Sequence, residues 1–286
     1  MFSISQGPAL LWALSALWSL SQVFFCGLHY ASAKFRAFTP AQRLKVVKYM
    51  IQITWGSVIV VLYTVLQLKF DGWLESDCTK PAASPPQPEH EHEHGHSTCA
   101  FEWSWPYTHV ITLYGALYVW ELIHEGAEIH NSLALHHFCI VVVWHVAVGY
   151  YGTRVDLTGS QLQAIGDMGF PQLVAAGLEQ PVFVALLMHR FGSKPAARTR
   201  AFQVAWMTFA ASKAVALLAS FVVIATQWSK APVAYRAAML LTLVAVVPTQ
   251  AYSAIVLRRL ASRMAAKGRK EEADNAADAA AEKASP

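Results

Sequence analysis

Charge is what this chain has least of. Only 14% of its 286 residues are Asp, Glu, Lys or Arg, against 55% hydrophobic, and a soluble globule of that size could not cover its surface with so few polar groups. The shortage excludes an ordinary soluble domain and leaves a polytopic membrane protein. There is no separate basic domain either: the Lys and Arg residues behind the net charge of +4 flank apolar stretches, which excludes a nucleic-acid footprint and points to anionic lipid headgroups as neighbours. No internal repeat of about 20 to 50 residues is visible, which sets aside solenoids.

A hydrocarbon core about 30 Å thick asks for roughly 20 apolar helical residues. Seven stretches approach that length, at about 8–30, 46–68, 107–123, 133–152, 169–188, 202–226 and 234–257. The expected fold is therefore an all-α polytopic bundle of about seven transmembrane helices. The first stretch lacks a basic n-region and outruns the apolar part of a signal peptide, so it is read as a span. The third is short, and Glu121 at its end leaves that boundary the least defined. Pro181 and Pro248 fall inside spans and predict kinks.

Orientation follows from where the positive charge sits. Lys34, Arg36, Arg43, Lys45 and Lys48 lie in or near the first connection, Arg190, Lys194, Arg198 and Arg200 in the fifth, and Arg258, Arg259, Arg263, Lys267, Arg269 and Lys270 after the last span. With seven spans these fall on one side, the cytosolic one, and the N-terminus is lumenal or external. The opposite side holds only Lys69, Lys80, Arg154, Lys230 and Arg236. The third connection, "HEGAEIHN", has no Lys or Arg and does not vote.

The chain divides into a first helix with its basic connection (1–42), a bundle (43–263) and a polar, Ala-rich tail (264–286) read as a helix extension fading into disorder. Inside the bundle, residues 76–100 hold "PAASPPQPEHEHEHGHS", low-complexity sequence that cannot bury a core. If extended, it would align His90, His92, His94 and His96 on one face. That strip is a solvated linker or a weak buffer for zinc, copper or nickel; no resident metal or cofactor is expected. Cys78 and Cys99 bracket the same lumenal loop, where a disulfide would persist, and both the bridged and the free state remain open. Cys26 and Cys139 lie in spans and read as small buried apolar residues.

Against this background the polar residues within spans stand out. On a helix, Glu121, His124, Glu125 and Glu128 share a sector of about 100°, either an interfacial cap or a strip running inward past Tyr118, Leu117 and Tyr114. His136 and His137, in "ALHHFCIVVVWH", point about 100° apart. One of them can bond a partner helix while the other faces a cavity, a division that suits a general base held by its neighbour. His145, Asp156, Asp167, Glu179 and Lys213 follow in order. Lys213 sits near the centre of the sixth span, where a lysine costs about 2.5–3.5 kcal/mol to insert. It is expected to pair with Glu179, with Asp167 or with an anionic group on a ligand.

The run "YVWELIHE", about a dozen residues, then "LALHHF" opening the next span resembles the core of the TLC domain shared by ceramide synthases, translocating-chain-associated proteins and small lipid-homeostasis proteins. Lys213 stands where a basic residue of the penultimate span is usual in that family, and "GLEQPVF" is similar to the proline-containing segment of its non-synthase members. The resemblance covers about residues 43–263. It implies an endoplasmic reticulum membrane protein of lipid metabolism, with His136, His137 and Asp167 catalytic and Lys213, Glu179 and Glu121 contacting ligand. It also implies acyl transfer from acyl-CoA as co-substrate to a sphingoid or similar amine, with membrane lipids as partners. The synthases carry a His-Asp-x-Ser-Asp run, whereas this chain has Asp167 without a companion histidine. The alternative is a lipid-binding or lipid-sensing TLC protein without turnover. A homo-oligomer is compatible with either. A retinal-type receptor would want its lysine in the last span, and a diiron hydroxylase would want histidines spaced more tightly than His124, His130 and His136.

Overall fold

In the computed structural model, which describes residues 6–76, 98–125, 131–152 and 159–284, every regular element among the described residues is an α-helix. These are α1 (Gln6–Ala31), α2 (Ala33–Ala37), α3 (Pro40–Ser76), α4 (Thr98–Glu125), α5 (Asn131–Gly152), α6 (Gly159–Gly177), α7 (Gln180–Phe191), α8 (Pro195–Gln227) and α9 (Val233–Ala284). Five stretches are long and apolar enough to cross a membrane: Pro8–Ala31, Pro40–Lys69, Gln163–Phe191, Pro195–Gln227 and Val233–Glu271. The chain is thus a multi-pass membrane protein. α4 and α5 stand where the third and fourth spans were expected, with a shorter apolar stretch at Ala134–Val143.

The helix α8 shows why lipid is the solvent. Its buried face carries Ala205, Phe209, Ser212, Ala216, Ser220 and Ile224, spaced by three or four residues. Its outward face carries Val215, Leu218 and Val222, each more than 60% exposed. Small and hydroxyl residues inside with large apolar ones outside inverts the soluble pattern: it lets helices approach closely while hydrocarbon covers the rest. Some buried hydroxyls are satisfied within their own helices, as Ser212 is by donating to the Phe209 carbonyl at 2.9 Å and Thr242 to Ala238 at 2.8 Å, while Ser220 accepts from Gln172 of α6 at 2.9 Å.

Helix ends follow local chemistry. Ser32 caps α2 by accepting from the Phe35 amide. Thr39 and Gln42 form a reciprocal capping box ahead of α3, the Thr39 amide donating to Gln42 Oε1 at 3.0 Å and the Gln42 amide to Thr39 Oγ1 at 3.3 Å. The expected kink at Pro181 is a full break: α6 stops at Gly177, Glu179 occupies a turn, and α7 restarts with Pro181 in its first turn. α7 then ends on Gly192 at φ +68°, the left-handed cap that glycine adopts without strain. At Pro248, by contrast, α9 continues as helix.

Contacts between helices close a ring: α3 packs on α4, α4 on α5, α5 on α9, α9 on α8, α8 on α6 and α7, and these on α3. α1 lies outside this ring against α3 and α4. The Lys/Arg-rich segments gather at one end, as the charge count requires. Phe38 and Phe191 rings meet at 5.7 Å, Thr199 Oγ1 donates to the Met264 carbonyl at 3.2 Å, and Arg198 donates to Glu271 at 3.0 Å.

Some expectations change. The tail is not disordered from residue 264, because α9 runs to Ala284. Its Ala, Glu and Lys residues favour helix, and the Arg198–Glu271 pair and Thr199 dock its first turns on α8. Cys139 is buried as expected, but Cys26 is exposed, on a helix that lies outside the ring. Two residues counted as surface charge, Lys48 and Arg198, are each only 8% exposed. The histidine strip, the Cys78–Cys99 pairing, Glu128, His130 and Asp156 lie outside the described residues.

Candidate functional site

The ring holds a partly open chamber of about 100 Å³ to which α3, α4, α5, α6, α8 and α9 all contribute. Its wall is graded along the bundle. Val110 and Ile111 precede Tyr114 and Tyr118 on α4, His136 precedes Ile140 and Val143 on α5, and Met239, Leu243 and Val246 precede Gln250 on α9. Since neighbouring helices run in opposite directions, Tyr118, His136, Glu179, Lys213 and Gln250 converge towards the basic end. The remainder is lined mostly by apolar side chains, with Gln172, Thr242, Tyr63 and Tyr235 set among them.

Those two tyrosines brace a weak point in α6. Pro171 lies inside that helix and lacks an amide. One turn earlier, Tyr63 Oη donates to the Gly166 carbonyl and Tyr235 Oη to the Ile165 carbonyl, each at 3.0 Å. A helix interrupted by proline is thus held from α3 and α9 at the apolar end of the chamber.

At the polar end the histidines divide as their 100° offset predicts. His137, 3% exposed, turns away from the chamber, and its Nε2 donates to Glu121 Oε2 at 2.6 Å. The other oxygen of Glu121 takes Lys48 Nζ at 3.3 Å. This Lys48–Glu121–His137 knot ties α3, α4 and α5 together and fixes the plane of one imidazole. His136 lines the chamber. Its ring centroid is 5.7 Å from that of His137 and 6.1 Å from that of Tyr118, Gln250 Nε2 lies 3.4 Å from its Nε2, and its Nδ1 has no partner among the described residues.

Across the chamber, the helix break exposes Glu179, which ion-pairs with Lys213. Both line the cavity, and Lys213 Nζ also lies 5.4 Å above the Phe209 ring. Of the partners expected for Lys213, the structure selects Glu179.

Asp167 and Glu121 require correction. Asp167 does not line the chamber: Gln67 donates to its Oδ1 at 2.9 Å and Gln227 to its Oδ2 at 3.3 Å. The carboxylate is committed to crosslinking α3, α6 and α8. Glu121 is neither a cap nor a chamber residue, but a buried carboxylate behind His137. The strip expected to run inward from it splits. Tyr114 and Tyr118, joined by a 2.9 Å hydrogen bond, face the chamber, while Leu117 packs with Trp120 and Ile51 on the α1 side. His145 is exposed and outside the lining.

Sequence reasoning missed Lys48, Gln250 and the Tyr63–Tyr235 brace. The first had a signal: Val47, Lys48, Ile51 and Gln52 fall on one face, and all four are buried. No family model, curated protein or solved structure matches this chain.

Proposed function

We propose that this protein is a seven-span, TLC-type membrane protein of the endoplasmic reticulum or a connected endomembrane, and that it transfers an acyl group from acyl-CoA to a sphingoid or similar amine. The observation that carries this reading is His136, an imidazole in the chamber wall at the polar end, backed by a second imidazole held on a buried carboxylate. The His136 ring takes a proton from the amine as its nitrogen attacks the thioester carbonyl. The C–S bond breaks, and the proton passes to the departing thiolate. General base catalysis of this kind contributes about 10²–10⁴-fold. Purified protein given acyl-CoA and a long-chain amine should therefore form amide, and His136→Ala should lower the rate at least about a hundredfold with its lipid content unchanged. No amide from a folded, lipid-loaded protein contradicts the reading.

A second reading, a lipid-binding or lipid-sensing protein without turnover, is favoured by Asp167. The one carboxylate that could stand for the aspartates of the synthase run is tied up by Gln67 and Gln227 outside the chamber. That reading expects lipid to co-purify and membrane composition to change on deletion, with no amide formed in vitro.

A further inference from the structure

The pair Glu179–Lys213 says which headgroup the chamber selects, provided that the second reading above holds and the chamber binds lipid without turnover; a chamber that acylates a sphingoid amine would favour the cation instead. Both side chains line the cavity, with 25% and 15% of their surface open, in contrast to Glu121 at 4%. They are therefore a charge pair that a ligand can reach.

Four kinds of headgroup meet it differently. An anion drawn to Lys213 leaves Glu179 uncompensated at membrane depth, and a cation drawn to Glu179 leaves Lys213 so; breaking a buried pair from one side is the costly case. A neutral headgroup leaves the pair closed and gains no charge-assisted hydrogen bond. A headgroup carrying an ammonium and a phosphate a few bonds apart satisfies both at once, exchanging one ion pair for two. The aromatic surroundings fit, since Tyr114 and Tyr118 line the same end of the chamber and offer ring faces to an ammonium group. The apolar side chains beyond, among them Leu173, Met239 and Leu243, receive a hydrocarbon tail.

We infer that the chamber is a binding site for a zwitterionic phospholipid headgroup, with Glu179 taking the ammonium, Lys213 the phosphate and the apolar half a hydrocarbon chain.

The test uses the full-length protein in detergent and measures competition among four lipids of equal chain length: lysophosphatidylethanolamine (zwitterion), lysophosphatidic acid (anion), sphingosine (cation) and monoacylglycerol (neutral). Wild type should retain the zwitterion at least tenfold over each of the others. Glu179→Gln should move the preference about tenfold towards lysophosphatidic acid, and Lys213→Met about tenfold towards sphingosine. The exchanged pair Glu179→Lys with Lys213→Glu should keep the zwitterion preference and serves where a single variant does not fold. Preference of wild type for the anion, the cation or the neutral lipid overturns the inference and leaves the chamber reading intact. An unchanged ranking in the folded single variants, or loss of the zwitterion preference in the folded exchanged pair, does the same. If none of the four binds folded wild type, the chamber reading itself fails.

Discussion

Two ion pairs among the described residues of this bundle do opposite things. Lys48–Glu121 is packed on every side, joined by His137 and closed to the chamber. Glu179–Lys213 is built at a helix break and opens onto a cavity. A closed pair that includes a histidine can only set geometry. An open pair beside an imidazole can meet a ligand. The difference separates what holds the polar end of the bundle together from what that end is for.

Breaking the closed pair should hurt most. Glu121→Ala strands Lys48 in the interior and should cost about 3–5 kcal/mol of stability, read as a loss of thermal stability in detergent. Lys48→Met combined with Glu121→Leu should recover most of that loss, because replacing both charges removes the stranded partner. Glu179→Gln should cost less, about 1–3 kcal/mol, since Lys213 keeps the Phe209 face and the chamber; equal losses from the two carboxylates would erase the distinction. His136→Ala should change stability by about 1 kcal/mol or less, because its ring lines the chamber and has one long contact to Gln250, while removing the activity or the lipid response. Glu271→Ala, at a partly open pair with Arg198, should be worth about 0–1 kcal/mol and fade in high salt, which a salt series on the melting temperature checks.

Five apolar spans were legible because bilayer thickness imposes them on composition, and the gathering of the basic segments at one end because Lys and Arg flank those spans. The offset of His136 from His137 was legible for the same geometric reason, helical rotation per residue. The fate of Asp167 was not. It depends on Gln67 and Gln227, one hundred and sixty residues apart in sequence, and no local pattern brings two amides to one carboxylate. Lys48 was misread because charge near a span end obeys the sidedness rule whether it faces water or turns inward. Only the apolar face it shares with Val47 and Ile51 tells the two apart. The tail misled in the other direction: its polarity suggested disorder, whereas its helix-forming residues and a docked first turn extend α9.

A single-chain lipid with a photoreactive diazirine at the tail end, activated in membranes carrying the protein and traced by peptide mass spectrometry, reports where hydrocarbon resides. Label on Ile165, Leu173, Met239 or Leu243, lost when excess unlabelled lipid is added, is the expected result. Label confined to outward positions such as Leu11, Val215 and Val244 would mean that no tail enters the ring.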